Sequence, residues 1–139
     1  MFKTARFEDR EFKPLSIAVI AVSDTRTLET DTGGALLKSL LEADGHRCFE
    51  RQVVRDDIQL IRAAVQNYVA HPEVDVILTT GGTGFSGRDV TPEAVEPLFD
   101  KRMEGFSVLF HQYSATTVGT SSLQSRATAG LIGTTFVFC

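Results

Sequence analysis

This chain has few of the groups that announce a chemistry, and each absence removes a class of function. Only two cysteines occur among its 139 residues, Cys48 and Cys139, far apart in sequence. They make neither a disulfide framework nor a metal-site spacing, and that usage suits a reducing, cytoplasmic setting. The three histidines, His46, His71 and His111, share no metal-ligand spacing, and His46 and His71 fall in turns expected to be exposed. No basic block interrupts a formal net charge of −4, so nucleic acid and anionic membranes are excluded as main partners. No apolar run approaches the ~18 residues of a membrane span. The first residues are too charged for a signal peptide. No Ser-His-Asp or Cys-His arrangement is evident, so covalent catalysis is not expected. The length fits one domain with one core, and 42% hydrophobic with 23% charged residues is ordinary for a globular protein.

What is present is a glycine-rich turn with structure on both sides. Residues 75–93 read DVILTTGGTGFSGRDVTPE. A β-forming run delivers a loop with four glycines in seven residues, and Thr91-Pro92-Glu93 then reads as a helix start. Glycine lacks a Cβ, so backbone N–H groups in such a loop can approach an anion, and phosphate is the natural guest. The same pattern also fits a simple turn after a buried strand. No Gly-Lys-Ser/Thr follows, so it is not a Walker A loop, and the glycine spacing is not the dinucleotide fingerprint.

Residues 1–13 are mixed and charged and read as an arm; residues 14–139 read as the domain. Residues 15–22 (LSIAVIAV) form a continuous apolar run, as expected of a strand covered on both faces. Leu36, Leu37, Leu40 and Leu41 recur at helical spacing over 33–43, with Asp31 or Thr32 as cap and Gly45 as terminator. A second strand is expected over 48–54, a second helix over 58–69 and a third strand over 74–79. Short helices follow over 91–99 and 106–111. Residues 114–122 read as irregular, 123–129 as a short helix, and 134–139 as a final strand after a turn at Gly133. This rhythm predicts an α/β fold, a three-layer sandwich around a mostly parallel sheet in a single domain. Three strand ends then carry polar groups: Ser23-Asp24, Asp56-Asp57, and the glycine loop with Asp89. If the strands are neighbours, these groups meet at one edge, where open α/β sheets bind ligands.

Each candidate has a plain structural alternative. One of Asp56 and Asp57 can be a helix cap while the other serves a magnesium ion. Asp89 can stabilise the helix start that follows it. Arg88 and Arg126 read as solvated arginines or as phosphate contacts. Phe106 and Phe110 read as core. Ser121, Ser122 and Ser125 read as turn chemistry or as donors to a ligand.

The glycine loop carries a family resemblance. Thr80-Gly81-Gly82-Thr83-Gly84 with Arg88-Asp89-Val90-Thr91-Pro92-Glu93-Ala94 resembles the signature of the MoaB/Mog family of molybdenum cofactor biosynthesis. The likeness extends to residues 19–26 (VIAVSDTR), to Val54-Arg55-Asp56, to Met103-Glu104-Gly105-Phe106 and to residues 119–130 (GTSSLQSRATAG). It covers most of the chain and leans toward the MoaB branch.

The resemblance implies a molybdopterin-binding α/β protein that assembles as a homotrimer or homohexamer. In the Mog branch it implies Mg²⁺- and ATP-dependent adenylylation of molybdopterin; in the alternative, the protein binds or scaffolds molybdopterin without turnover. By position, Asp56 and Asp89 match the family's essential carboxylates and would hold Mg²⁺. Thr80, Gly81, Gly82, Thr83 and Gly84 match the loop around the pterin phosphate. Ser23 and Asp24 match the first strand-end contact, and Ser125 lies in the segment lining the pterin side. Family members continue past the final strand with a Pro-Gly loop and a helix, which are expected to be missing from these residues.

Overall fold

Runs of β-branched residues set the sheet. In the computed structural model, which describes residues 11–139, strand β1 (Ser16–Val22) buries six of its seven residues. Both of its faces are therefore covered, as an apolar run without alternation requires. Helix α1 (Thr32–Ala43) starts where the Asp31 carboxylate accepts the Gly34 N–H at 3.0 Å, and it ends before Gly45 at φ +91°. Strand β2 (Arg47–Val54) leads to helix α2 (Ile58–Val69). Asp57 caps α2 by accepting the Leu60 N–H at 2.9 Å. Ile61, Ala64, Val65 and Tyr68 are buried on one stripe of that helix, at the spacing an amphipathic helix requires. Strand β3 (Val76–Thr80) delivers the glycine loop.

After the loop come α3 (Thr91–Val95), a 3₁₀ turn (Glu96–Leu98), β4 (Lys101–Arg102) and α4 (Glu104–Val118). A second 3₁₀ turn (Gly119–Gln124) precedes β5 (Ala129–Ile132) and β6 (Thr135–Phe138). The sheet order is β2-β1-β3-β6-β5-β4. Strands β2, β1, β3 and β6 run parallel, and β5 is antiparallel to both of its neighbours. The α/β fold around a mostly parallel sheet is thus as the sequence implied.

Two clusters make the three layers. Alternate residues of the central strands enter a core with α2 and α3: Ala18, Ile20 and Ile77 meet Ile61, Val65 and Val95. The opposite set, Ile17, Val19 and Val76, meets Leu41 of α1. On that second face Phe106 of α4 packs edge-on against Phe138 of β6, with ring centroids 5.2 Å apart. Each fully buried Ile or Val adds roughly 1.5–3 kcal/mol of transfer free energy.

Four departures from the sequence reading concern the elements and the histidines between them. Residues 114–118 continue α4 instead of lying irregular. Thr116 and Thr117 hydroxyls donate to the carbonyls of Tyr113 and Ser114 at 2.7 and 3.0 Å, within the helix itself. Residues 123–129 are not a helix; the 3₁₀ turn ends at Gln124 and the chain runs extended into β5. Strands β4 and β5 were not expected at all. His46 and His71 are half-buried, not exposed: each Nδ1 accepts a backbone N–H, from Leu15 and from Glu73. Of the arm over 1–13, residues 1–10 lie outside the described residues.

Candidate functional site

The sheet order changes direction between β1 and β3, because β1 is followed by β2 on one side and β3 lies on the other. Such a switch point opens a crevice at the carboxyl ends of the two strands. The glycine loop fills the floor of that crevice. Gly81 has φ +94°, and a Cβ there would stand 2.3 Å from the Val22 carbonyl at the end of β1. Gly82 has φ +74°, and its Cβ would stand 2.2 Å from Thr91 Oγ1 and 3.3 Å from Asp56 Oδ1. Only glycine reconciles that backbone with those neighbours. Thr91, fully buried, clamps the loop by donating its hydroxyl to the Gly81 carbonyl at 2.9 Å and its N–H to the Gly82 carbonyl at 3.0 Å.

The three polar strand ends meet here. Asp56, after β2, lies against Gly82, while its neighbour Asp57 is spent on capping α2. Asp24, after β1, accepts the Asp56 N–H at 3.1 Å and pairs with Arg88, whose Nε lies 2.7 Å away. Asp89 curls back so that its Oδ2 accepts the Ser86 N–H at 3.0 Å beside Gly84. Ser23 serves the turn after β1: its hydroxyl accepts the N–H groups of Thr25 and Arg26 at 3.2 and 3.1 Å.

Burial and neighbouring charge set Asp56 and Asp24 apart in opposite directions. Burial, and then the nearby Asp24 and Asp89, hold the Asp56 carboxyl above its ordinary range, while Arg88 pulls the other way. The Arg88 guanidinium holds Asp24 below its ordinary range. Asp56 is therefore a carboxylate short of positive charge. Hard oxygen donors in that state fit Mg²⁺, which takes one or two protein carboxylates and completes its shell with phosphate oxygens and water.

Beside this edge lies a cleft of about 540 Å³ between α1 and α4. Leu37, Leu78, Phe106, Phe110 and Phe138 form its apolar walls, and Thr80, Gly81, Thr83 and Ser125 join it to the glycine loop. Ser125 thus sits on the cleft side, apart from the carboxylates. Phe106 and Phe110 do not belong to a closed core: Phe110 is 38% exposed, and α4 buries none of its residues. Their i,i+4 spacing reads equally as core or cleft, and only the unfilled sheet face distinguishes the two. Cys139 also lines the cleft, and burial pushes its thiol up to about 11.

Arg126 is neither solvated nor free for a phosphate. Its Nε donates to the Gly84 carbonyl at 2.8 Å, Nη2 to the Asp89 carbonyl at 2.9 Å and Nη1 to Glu93 at 2.5 Å. Nothing in its local sequence signals these partners, because two of the three are main-chain oxygens.

This geometry coincides with a match to known proteins. Residues 18–139 match a family described as "Probable molybdopterin binding domain". The chain belongs to this family of molybdenum cofactor biosynthesis. It is 42% identical over 128 residues to the molybdenum cofactor biosynthesis protein B of Escherichia coli (strain K12), covering 92% of this chain and 75% of that one. The protein of the same name from Staphylococcus carnosus (strain TM300) is 48% identical over 129 residues, covering 91% and 75%. Among solved structures, a molybdenum cofactor biosynthesis protein B superposes with a TM-score of 0.88 at 43% identity, over 93% of this chain and 81% of that one. The tungsten cofactor synthesizing protein MoaB from Pyrococcus furiosus superposes with a TM-score of 0.81 at 33% identity, over 92% and 82%. Among the described residues no helix is long and apolar enough to cross a membrane.

Proposed function

We propose that this chain binds molybdopterin and adenylylates it with Mg-ATP. One observation carries the reading: Asp56, Asp89 and the glycine loop converge at the switch point, next to an aromatic-walled cleft that ends at that loop. The flat pterin ring would lie against the apolar wall that Phe106, Phe110 and Phe138 make, with Thr83 and Ser125 supplying hydroxyls at its polar edge. Its phosphate then lies at residues 80–84, whose glycine amides suit an anion.

Asp56 and Asp89 would hold Mg²⁺, which supplies neutralising charge at the phosphates. The pterin phosphate oxygen forms a new bond to the α-phosphorus, the α–β anhydride bond breaks, and pyrophosphate leaves. The chain's own part is alignment and charge placement, so no protein nucleophile is needed.

The test is incubation of folded protein with molybdopterin, ATP and Mg²⁺, with adenylylated pterin and pyrophosphate as expected products. Asp56→Ala and Asp89→Ala should lose turnover and keep pterin binding. A folded wild-type protein that yields no product would overturn the catalytic reading. A second reading, molybdopterin binding without turnover, draws on a specific observation: Asp89 Oδ2 is already taken by the Ser86 N–H and Asp24 by Arg88, while the cleft and the glycine loop stay open to the pterin. Pterin titration with no measurable heat would refute both.

Assembly as a homotrimer or homohexamer accompanies this reading. Val108, Leu109 and Tyr113 of α4 are 56%, 67% and 74% exposed, which is costly apolar surface for a monomer. Light scattering on the eluting protein should give three or six times the chain mass; a monomer would contradict it.

A further inference from the structure

We propose that Arg126 is a positioning residue that fixes Asp89 and ties the aromatic cleft to the carboxylate edge. Residues 84–89 make an excursion from the loop without regular secondary structure. One guanidinium holds both of its ends: Nε reaches the Gly84 carbonyl at 2.8 Å and Nη2 the Asp89 carbonyl at 2.9 Å. The third arm pairs with Glu93 in the first turn of α3, and the Arg126 N–H donates to the Thr83 carbonyl at 2.9 Å. Phe85 lies over the guanidinium, with the ring centroid 5.5 Å from its central carbon.

Inside that brace the Asp89 carboxylate has little freedom. Its Oδ2 accepts the Ser86 N–H, its own N–H donates to the Ser86 carbonyl at 2.9 Å, and Gly84 leaves no room for a Cβ beside it. Arg126 follows Ser125 directly, and Ser125 and Ala127 both line the cleft. The brace therefore connects the cleft wall to the carboxylate through one side chain. Lysine cannot replace it, because a single ammonium cannot span two carbonyls and a carboxylate in a planar fork.

The catalytic consequence rests on the adenylyl-transfer reading, in which Asp89 helps to hold the cation. Arg126→Lys should lower kcat on the order of tenfold to a hundredfold, as expected when a catalytic group is misplaced by about an ångström. KM for molybdopterin should stay within about twofold, because the cleft walls remain. The Mg²⁺ concentration for half-maximal rate should rise. Glu93→Gln, at a 45%-exposed side chain where folding is not at risk, should shift the same readings in the same direction by less.

Amide hydrogen exchange at Ser86 supplies a readout independent of turnover. Its N–H is held by Asp89, so exchange should quicken in Arg126→Lys and, by less, in Glu93→Gln. If wild-type protein adenylylates nothing, the functional reading fails, and Ser86 exchange alone decides the positioning claim. Unchanged exchange in both variants, or a kcat at the wild-type level alongside a lowered melting temperature, would show Arg126 to be merely structural and overturn the proposal.

Discussion

Gly82→Ala is the substitution that tests the loop geometry most directly. Residue 82 sits at φ +74°, where a side chain costs about 1–2 kcal/mol through crowding of Cβ against the backbone. The new methyl would also stand 2.2 Å from Thr91 Oγ1, against the ~3.5 Å at which non-bonded atoms rest. Thr91 is 0% exposed and cannot retreat, and its hydroxyl already donates to the Gly81 carbonyl. Relieving the contact breaks that bond, worth about 0.5–1.5 kcal/mol. The total is about 1.5–3.5 kcal/mol, or a fall in Tm of roughly 10 °C for a domain of this size. The chain has no tryptophan, so far-UV circular dichroism in urea and on heating is the suitable assay. Gly87→Ala in the same loop is the control: a Cβ there meets nothing within 4 Å, and its φ is not in the left-handed region. It should stay within about 0.5 kcal/mol of wild type. Equal losses in the two variants, or a Gly82→Ala protein as stable as wild type, would refute the reasoning.

The adjacent aspartates should respond in opposite directions. Asp57→Ala loses the cap of α2 and should cost about 1 kcal/mol while leaving the proposed adenylyl transfer intact. Asp56→Asn should instead stabilise at pH 7. A carboxyl whose folded pKa is raised contributes stability at low pH and loses it as pH rises through the ordinary carboxylate range to that raised value. Urea midpoints measured from pH 4 to 8 should therefore show the Asn variant gaining on wild type with rising pH; a constant or shrinking gap would contradict the burial and crowding of Asp56. Phe110→Ala, at a 38%-exposed position, should cost about 1–2 kcal/mol of stability yet weaken molybdopterin binding several-fold, as calorimetric titration can show.

What the sequence discloses and what it hides divide along a physical line. The apolar run of β1, the stripe Ile61, Ala64, Val65 and Tyr68, and the turn at Gly45 are legible because strand, helix and cap chemistry is local. The convergence of Asp24, Asp56 and Asp89 is legible one step further, because parallel strands of an α/β sheet must deliver their carboxyl ends to a common edge. Which of Asp56 and Asp57 caps the helix is not legible, since either carboxylate could serve; the structure gives the cap to Asp57. Residues 114–118 hide their helicity because Ser and Thr read as loop formers until their hydroxyls find carbonyls one turn back. Ala129–Ile132 hides as a strand because four small or apolar residues carry no period. Arg126 is hidden most completely. Its main-chain acceptors lie 42 and 37 residues away, and a carbonyl has no residue identity to match. Residue type is therefore a sound guide to where the charges gather, and a poor one to what holds them still.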